Sequence, residues 1–126
     1  MEVMEGKKPY AEWEVGGDIY KLKLTTAAVT ALEAQYNGNL IQMMDGGIPS
    51  LGNMLNVVHR AAKAYKPSLK LNDVYNLFDQ YVEEGGSQVE FMTNVFIPVF
   101  QVSGFFSRNQ AEAMGEKIDG LKEKLL

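Results

Sequence analysis

The stretch EWEVGGDIYKLKLTTAAVTALE, residues 12–33, decides the fold. Val15 and Ile19 flank Gly16-Gly17-Asp18, and glycine reaches positive φ without a Cβ clash, which a tight hairpin turn requires. Alternation sets the register. A loop of even length places Trp13 and Val15 on one face with Tyr20, Leu22 and Leu24, and turns Lys21 and Lys23 to the other face beside Glu12 and Glu14. A slip of one residue would set Trp13 beside Lys21, so the even loop is preferred. A lone hairpin is marginal in water, and its apolar face must therefore lie on something else.

The helices after the hairpin supply that partner. Thr25 or Thr26 caps a helix over Ala27 to Tyr36, with Ala28, Val29, Leu32 and Tyr36 at helical spacing and Asn37-Gly38 as its stop. Leu40 to Met44 reads as a short apolar helix or turn before Asp45-Gly46-Gly47. Ser50 begins a second long helix running to about Tyr65, with Leu51, Leu55, Val58 and Ala62 facing inward and Pro67 beyond its end. Asn72 is the expected cap of a third helix, Asp73 to Glu84, with Val74, Leu77, Phe78 and Tyr81 facing in and Asp79 and Glu83 facing out. Gly85-Gly86 breaks it. Ser87-Gln88-Val89-Glu90 matches a capping box, and a fourth helix runs from there towards Phe106. The expected fold class is α+β, an N-terminal β-hairpin packed on four main helices. Residues 1–10 read as a loose leader, 11–106 as a single domain, and 107–126 as a charged, partly helical or flexible tail.

The totals agree with one domain: 126 residues, 46% hydrophobic and 22% charged. With no cysteine there can be no disulfide, thiolate metal site or cysteine nucleophile. No apolar run opens the chain and none approaches about 18 residues, so neither a secretory signal nor a membrane span is expected. Net charge is −4. Lys21, Lys23, Arg60, Lys63, Lys66 and Lys70 are dispersed along the sequence and read as solvated surface, so no nucleic-acid partner is expected.

Chemistry-bearing motifs are sparse. His59 is the only histidine, too few for a zinc site, and reads as a helix-surface or interface residue. Asp79 and Glu83 stand four apart on one helix without a calcium loop around them, and read as solvated surface. The glycine pairs at 16–17, 46–47 and 85–86 belong to neither kind of phosphate-binding glycine loop, and no serine sits in a nucleophile elbow. No catalytic residue, metal or cofactor is assigned.

The anomaly is VEFMTNVFIPVFQVSGFF, residues 89–106, which carries five of the six phenylalanines. A helix apolar on every face must be covered on every face. Either the rest of the domain wraps it, or part of it meets a partner or a second copy. Pro98 lacks a backbone donor and is expected to kink or split the helix near Asn94 to Ile97.

Taken in order, the Gly-Gly hairpin with Tyr20-x-Leu22-x-Leu24-Thr25-Thr26, the helix with Leu32-Glu33 and Tyr36-Asn37-Gly38, and the helix with Leu51-Gly52-x-Met54-Leu55 resemble the tail assembly chaperones of long-tailed bacteriophages, especially those of Gram-positive hosts. The resemblance covers roughly residues 10–106. It implies a non-enzymatic role in the bacterial cytoplasm: binding the tape-measure protein, helping tail-tube protein gather on it, self-associating, and being absent from the finished virion. Many such chaperones are made in two lengths by a programmed frameshift, and the charged residues 107–126 would suit a tether to such an extension. The expected contact set for a partner or a second copy is Phe91, Met92, Phe96, Phe100, Phe105 and Phe106, with Met43 and Met54 beside them, since methionine repacks easily against varied apolar surfaces. Core packing accounts for the same residues. The alternatives are a structural virion component of the tail-completion or head–tail connector type, or a bacterial adaptor module; a small enzyme using carboxylates and His59 is a further rival.

Overall fold

The computed structural model describes residues 9–40, 42 and 48–104. Strands β1 (Ala11–Val15) and β2 (Asp18–Leu22) form an antiparallel hairpin. The register pairs Trp13 with Tyr20, Ala11 with Leu22 and Glu12 with Lys21, as the alternation requires. The two-residue loop has Gly16 at φ 62° and Gly17 at φ 84°. Two consecutive positive φ values match the right-handed strand twist, and glycine adopts them without strain. The loop is held from outside: the Gly16 N–H donates to Glu84 Oε1 at 3.1 Å.

Helix α1 (Thr26–Tyr36) begins where Thr25 Oγ1 accepts the Ala28 N–H at 3.1 Å and ends at Asn37, which takes the left-handed conformation at φ 59°. Helix α2 (Leu51–Lys63) starts at Ser50, whose Oγ accepts the Asn53 N–H at 3.1 Å. Leu55, Val58 and Ala62 are buried on its expected stripe, and Leu51 is half-buried. Met54, Val57 and Ala61 are buried too, because α2 is covered by α3 on one side and by β2 on another. Helix α3 (Leu71–Glu83) starts two residues earlier than an Asn72 cap allows. Its end is closed backwards: the Lys70 N–H donates to Asp73 Oδ2 at 2.9 Å. Val74 and Phe78 are buried, Leu77 and Tyr81 pack half-buried against the core, and Asp79 and Glu83 are exposed.

The fourth helix has three parts. Ser87 Oγ accepts the Glu90 N–H at 3.1 Å, and α4 (Gln88–Phe91) follows. A π-helical stretch, Met92–Phe96, comes next, in which the Ile97 N–H reaches back five residues to the Met92 carbonyl. Helix α5 (Ile97–Val102) then carries Pro98 in its first turn. The disturbance expected of the proline near residues 94–97 takes the form of this wider turn. Proline has no N–H to give to the preceding turn, and a wide turn ahead of it is one way a continuous helix accommodates that loss. The wider turn also brings Phe91 and Phe96, five apart, onto nearly one face, with Phe100 four further on.

The core lies where the hairpin, α2 and α3 close around that helix. Trp13 meets Phe91 with ring centroids 5.1 Å apart, Phe91 meets Phe78 at 5.3 Å, and Phe96 meets Phe100 at 5.1 Å, all edge-on. Such T-shaped pairs are the favoured aromatic geometry. Among the described residues, the one buried side-chain polar atom without a hydrogen-bond partner is the Trp13 indole nitrogen. A second long-range tie joins the hairpin's exit to the end of the fourth helix: the Leu24 N–H donates to Ser103 Oγ at 2.9 Å.

Candidate functional site

Five residues of the contact set expected from the sequence are not on the surface. Phe91, Phe96, Phe100 and Met54 are 0% exposed, and Met92 is 1% exposed. Their burial is complete within one chain, because β1 covers one side of the fourth helix while α2 and α3 cover others. These five residues are core. Phe105, Phe106 and Met43 lie outside the described residues, as do residues 1–8 and 107–126.

His59 has a structural occupation. Its Nε2 lies 2.8 Å from the Leu69 carbonyl oxygen, tying α2 to the connection that leads into α3. Asp79 and Glu83 remain on exposed helix surface, and no cluster of metal-ligating side chains occurs among the described residues. Tyr81 is the titratable group whose environment stands out: burial pushes its phenol pKa up, and the nearby Glu90 carboxylate adds to the shift. Its ring is part of the core, within 6.0 Å of Trp13 and 5.9 Å of Phe91, so the shift belongs to packing.

The surface that could receive something lies along β2. An open cavity of about 480 Å³ runs between β2 and the C-terminal end of α2, lined by Ile19, Tyr20, Lys21, Tyr65 and Lys66 among others. Ile19 is 56% exposed and Tyr65 45% exposed, although both are large apolar side chains. Tyr10, assigned by sequence to a loose leader, stacks edge-on against Tyr65 with centroids 5.7 Å apart. The Lys21 ammonium sits 4.9 Å from the Tyr10 ring centre and 5.9 Å from that of Tyr65. The Lys66 ammonium sits 5.4 Å from the ring of Tyr20. Both cations are thus held over aromatic faces, which fixes where their charge is presented. A second open cavity of about 310 Å³, towards α3, shares Tyr20 and Lys66 with the first.

Sequence reading missed this surface because its parts come from separate segments. The bond from the Lys23 N–H to the Ala61 carbonyl, 3.1 Å, draws the end of β2 against the last turns of α2. The signal in the sequence was the density of lysine and tyrosine in 20–23 and 60–70, without any indication that the two stretches meet.

No protein-family model, curated protein or solved structure matches this chain. No helix among the described residues is long and apolar enough to cross a membrane.

Proposed function

We propose that this chain is a non-enzymatic assembly chaperone of the tail-assembly type. Its cargo would be the tape-measure protein, and it would work in the cytoplasm of a bacterial host, assisting the gathering of tail-tube protein before leaving the particle. The reading starts from the resemblance in residues 10–106, whose hairpin and helix order agrees with the fold. The observation that carries it is the surface along β2. An exposed isoleucine and tyrosine stand beside two lysines anchored on aromatic rings. Large apolar groups left in the open and organised in this way mark a protein-contact surface. The buried phenylalanine helix supports the reading indirectly, as the rigid body that holds this surface in shape.

The test is co-expression with a phage tape-measure protein, with the mass of any complex measured by light scattering. The expected result is a soluble complex in conditions where the tape-measure protein alone aggregates. No complex, with the chain remaining an inert monomer, would refute the reading. Recovery of the chain from purified virions would favour a tail-completion or connector component instead.

A further inference from the structure

The six lysines and arginines among the described residues are Lys21, Lys23, Arg60, Lys63, Lys66 and Lys70. All come from the end of β2 and from the last turns of α2 and the connection after it, which the Lys23–Ala61 bond holds together. From Val74 to Gly104 the chain carries Asp79, Glu83, Glu84 and Glu90 and no basic residue, and Glu84 reaches the hairpin turn at Gly16. An acidic protein therefore gathers its described basic residues where the end of β2 meets the end of α2, and two of them, Lys21 and Lys66, line the β2 cavity. Arg60 and Lys63 line a neighbouring shallow cavity with Thr25 and Ala28.

We infer that the β2 cavity is a docking site for an acidic polypeptide segment, one in which carboxylates flank an aliphatic or aromatic side chain. The inference deepens the chaperone reading by naming the chemistry of its partner. The carboxylates would meet Lys21 and Lys66, and the apolar side chain would lie against Ile19 and Tyr65. Asp73, which accepts the Lys70 N–H that starts α3, lines the adjoining cavity together with Lys66 rather than this one. Asp18 stands on one rim, Glu12 faces Lys21 across the hairpin, and Glu14 faces Ile19. These three acids disfavour a continuous polyanion such as nucleic acid or a lipid headgroup layer, which would have to cover them along with the lysines. A peptide can place its carboxylates at the lysines and nothing beside Asp18. Aromatic rings beneath the ammonium groups hold them in position before anything binds, which lowers the ordering cost of association.

The test uses the full chain, labelled for NMR, and a short synthetic peptide in which glutamates flank a Phe-Leu pair. Expected are saturable shifts centred on Ile19, Lys21, Tyr65 and Lys66. Affinity should weaken by about tenfold or more in Lys21→Glu/Lys66→Glu, and fall steeply near 1 M salt, where the screening length is about 3 Å. Lys21→Gln/Lys66→Gln is the milder variant should charge reversal disturb folding, and its amide spectrum checks the fold directly. The inference is overturned if the peptide fails to saturate, if its glutamine counterpart binds equally well, or if the shifts lie elsewhere. It is also overturned if anionic vesicles or single-stranded DNA bind through the same lysines more tightly than the peptide does. The chaperone reading fails separately, in the co-expression experiment with the unaltered chain. A complex there that ignores both salt and the lysine substitutions would sink this inference alone.

Discussion

Replacing Phe100 by alanine removes a side chain that is 0% exposed and packed edge-on at 5.1 Å against Phe96. Truncating a fully buried phenylalanine costs about 3–5 kcal/mol, of which the ring–ring geometry contributes about 0.5–1.5 kcal/mol. A domain of this size has about 5–15 kcal/mol in total. Phe100→Ala should therefore fold at room temperature but melt lower by about 10–25 °C, taking about 3–5 °C per kcal/mol for this chain length. Urea unfolding followed by Trp13 fluorescence gives the free energy, and a calorimetric scan gives the melting temperature. Phe100→Asp places an unpaired carboxylate in the same space and should abolish cooperative unfolding. The decisive comparison is with oligomeric state. If Phe100→Ala costs under about 1 kcal/mol, or Phe100→Asp gives a well-folded monomer that has lost self-association, the residue is an interface residue and the burial argument is wrong.

Three further outcomes are expected. Ser103→Ala leaves the Leu24 N–H without its acceptor and should cost about 1–2 kcal/mol, whereas Ser68→Ala on exposed surface should stay within about 0.5 kcal/mol; denaturant titration separates them. Gly17, at φ 84° with open space around a notional Cβ, should lose about 1–2 kcal/mol on Gly17→Ala through backbone strain alone, and less on Gly17→Asn, as thermal unfolding would show. Tyr81 has a raised folded-state pKa, so the unfolded chain releases that proton first as pH climbs; its contribution is intact below about pH 10 and is lost above it, up to the folded value. Glu90→Gln should shift the Tyr81 titration, followed by ultraviolet absorbance, down only part of the way, because burial is the larger cause.

How far the sequence can be read depends on the range of the forces involved. The hairpin register is legible because a period of two and a glycine turn are local facts. The caps at Thr25, Ser50 and Ser87 are legible because a side-chain oxygen three residues before its N–H needs no tertiary context. The start of α3 differs from the expected Asn72 cap because the cap comes from Asp73 acting backwards on Lys70, which lets Leu71 enter the helix. The phenylalanine helix keeps two readings open in sequence, since whether an all-apolar helix is covered depends on how many elements reach it. Helical periodicity gives no help there, because residues 92–96 do not follow a period of 3.6. The basic cluster is invisible in sequence for the same reason that makes it informative. It exists only once residues 20–23 and 60–70 are side by side.

The hairpin lies at the opening of the described chain, yet the surface it covers lies near its close. Trp13 needs Phe91, and Leu24 needs Ser103. At a ribosome adding about 5–20 residues per second, on the order of ten seconds separate the synthesis of Leu22 from that of Phe100. During that interval Trp13, Val15 and Leu22 have been made and their shelter has not. Completion of this core is thus a late event in translation: a nascent chain halted before residue 88 carries the hairpin and the faces of α2 and α3 that it meets, but neither Phe91 to close over Trp13 nor Ser103 to hold Leu24.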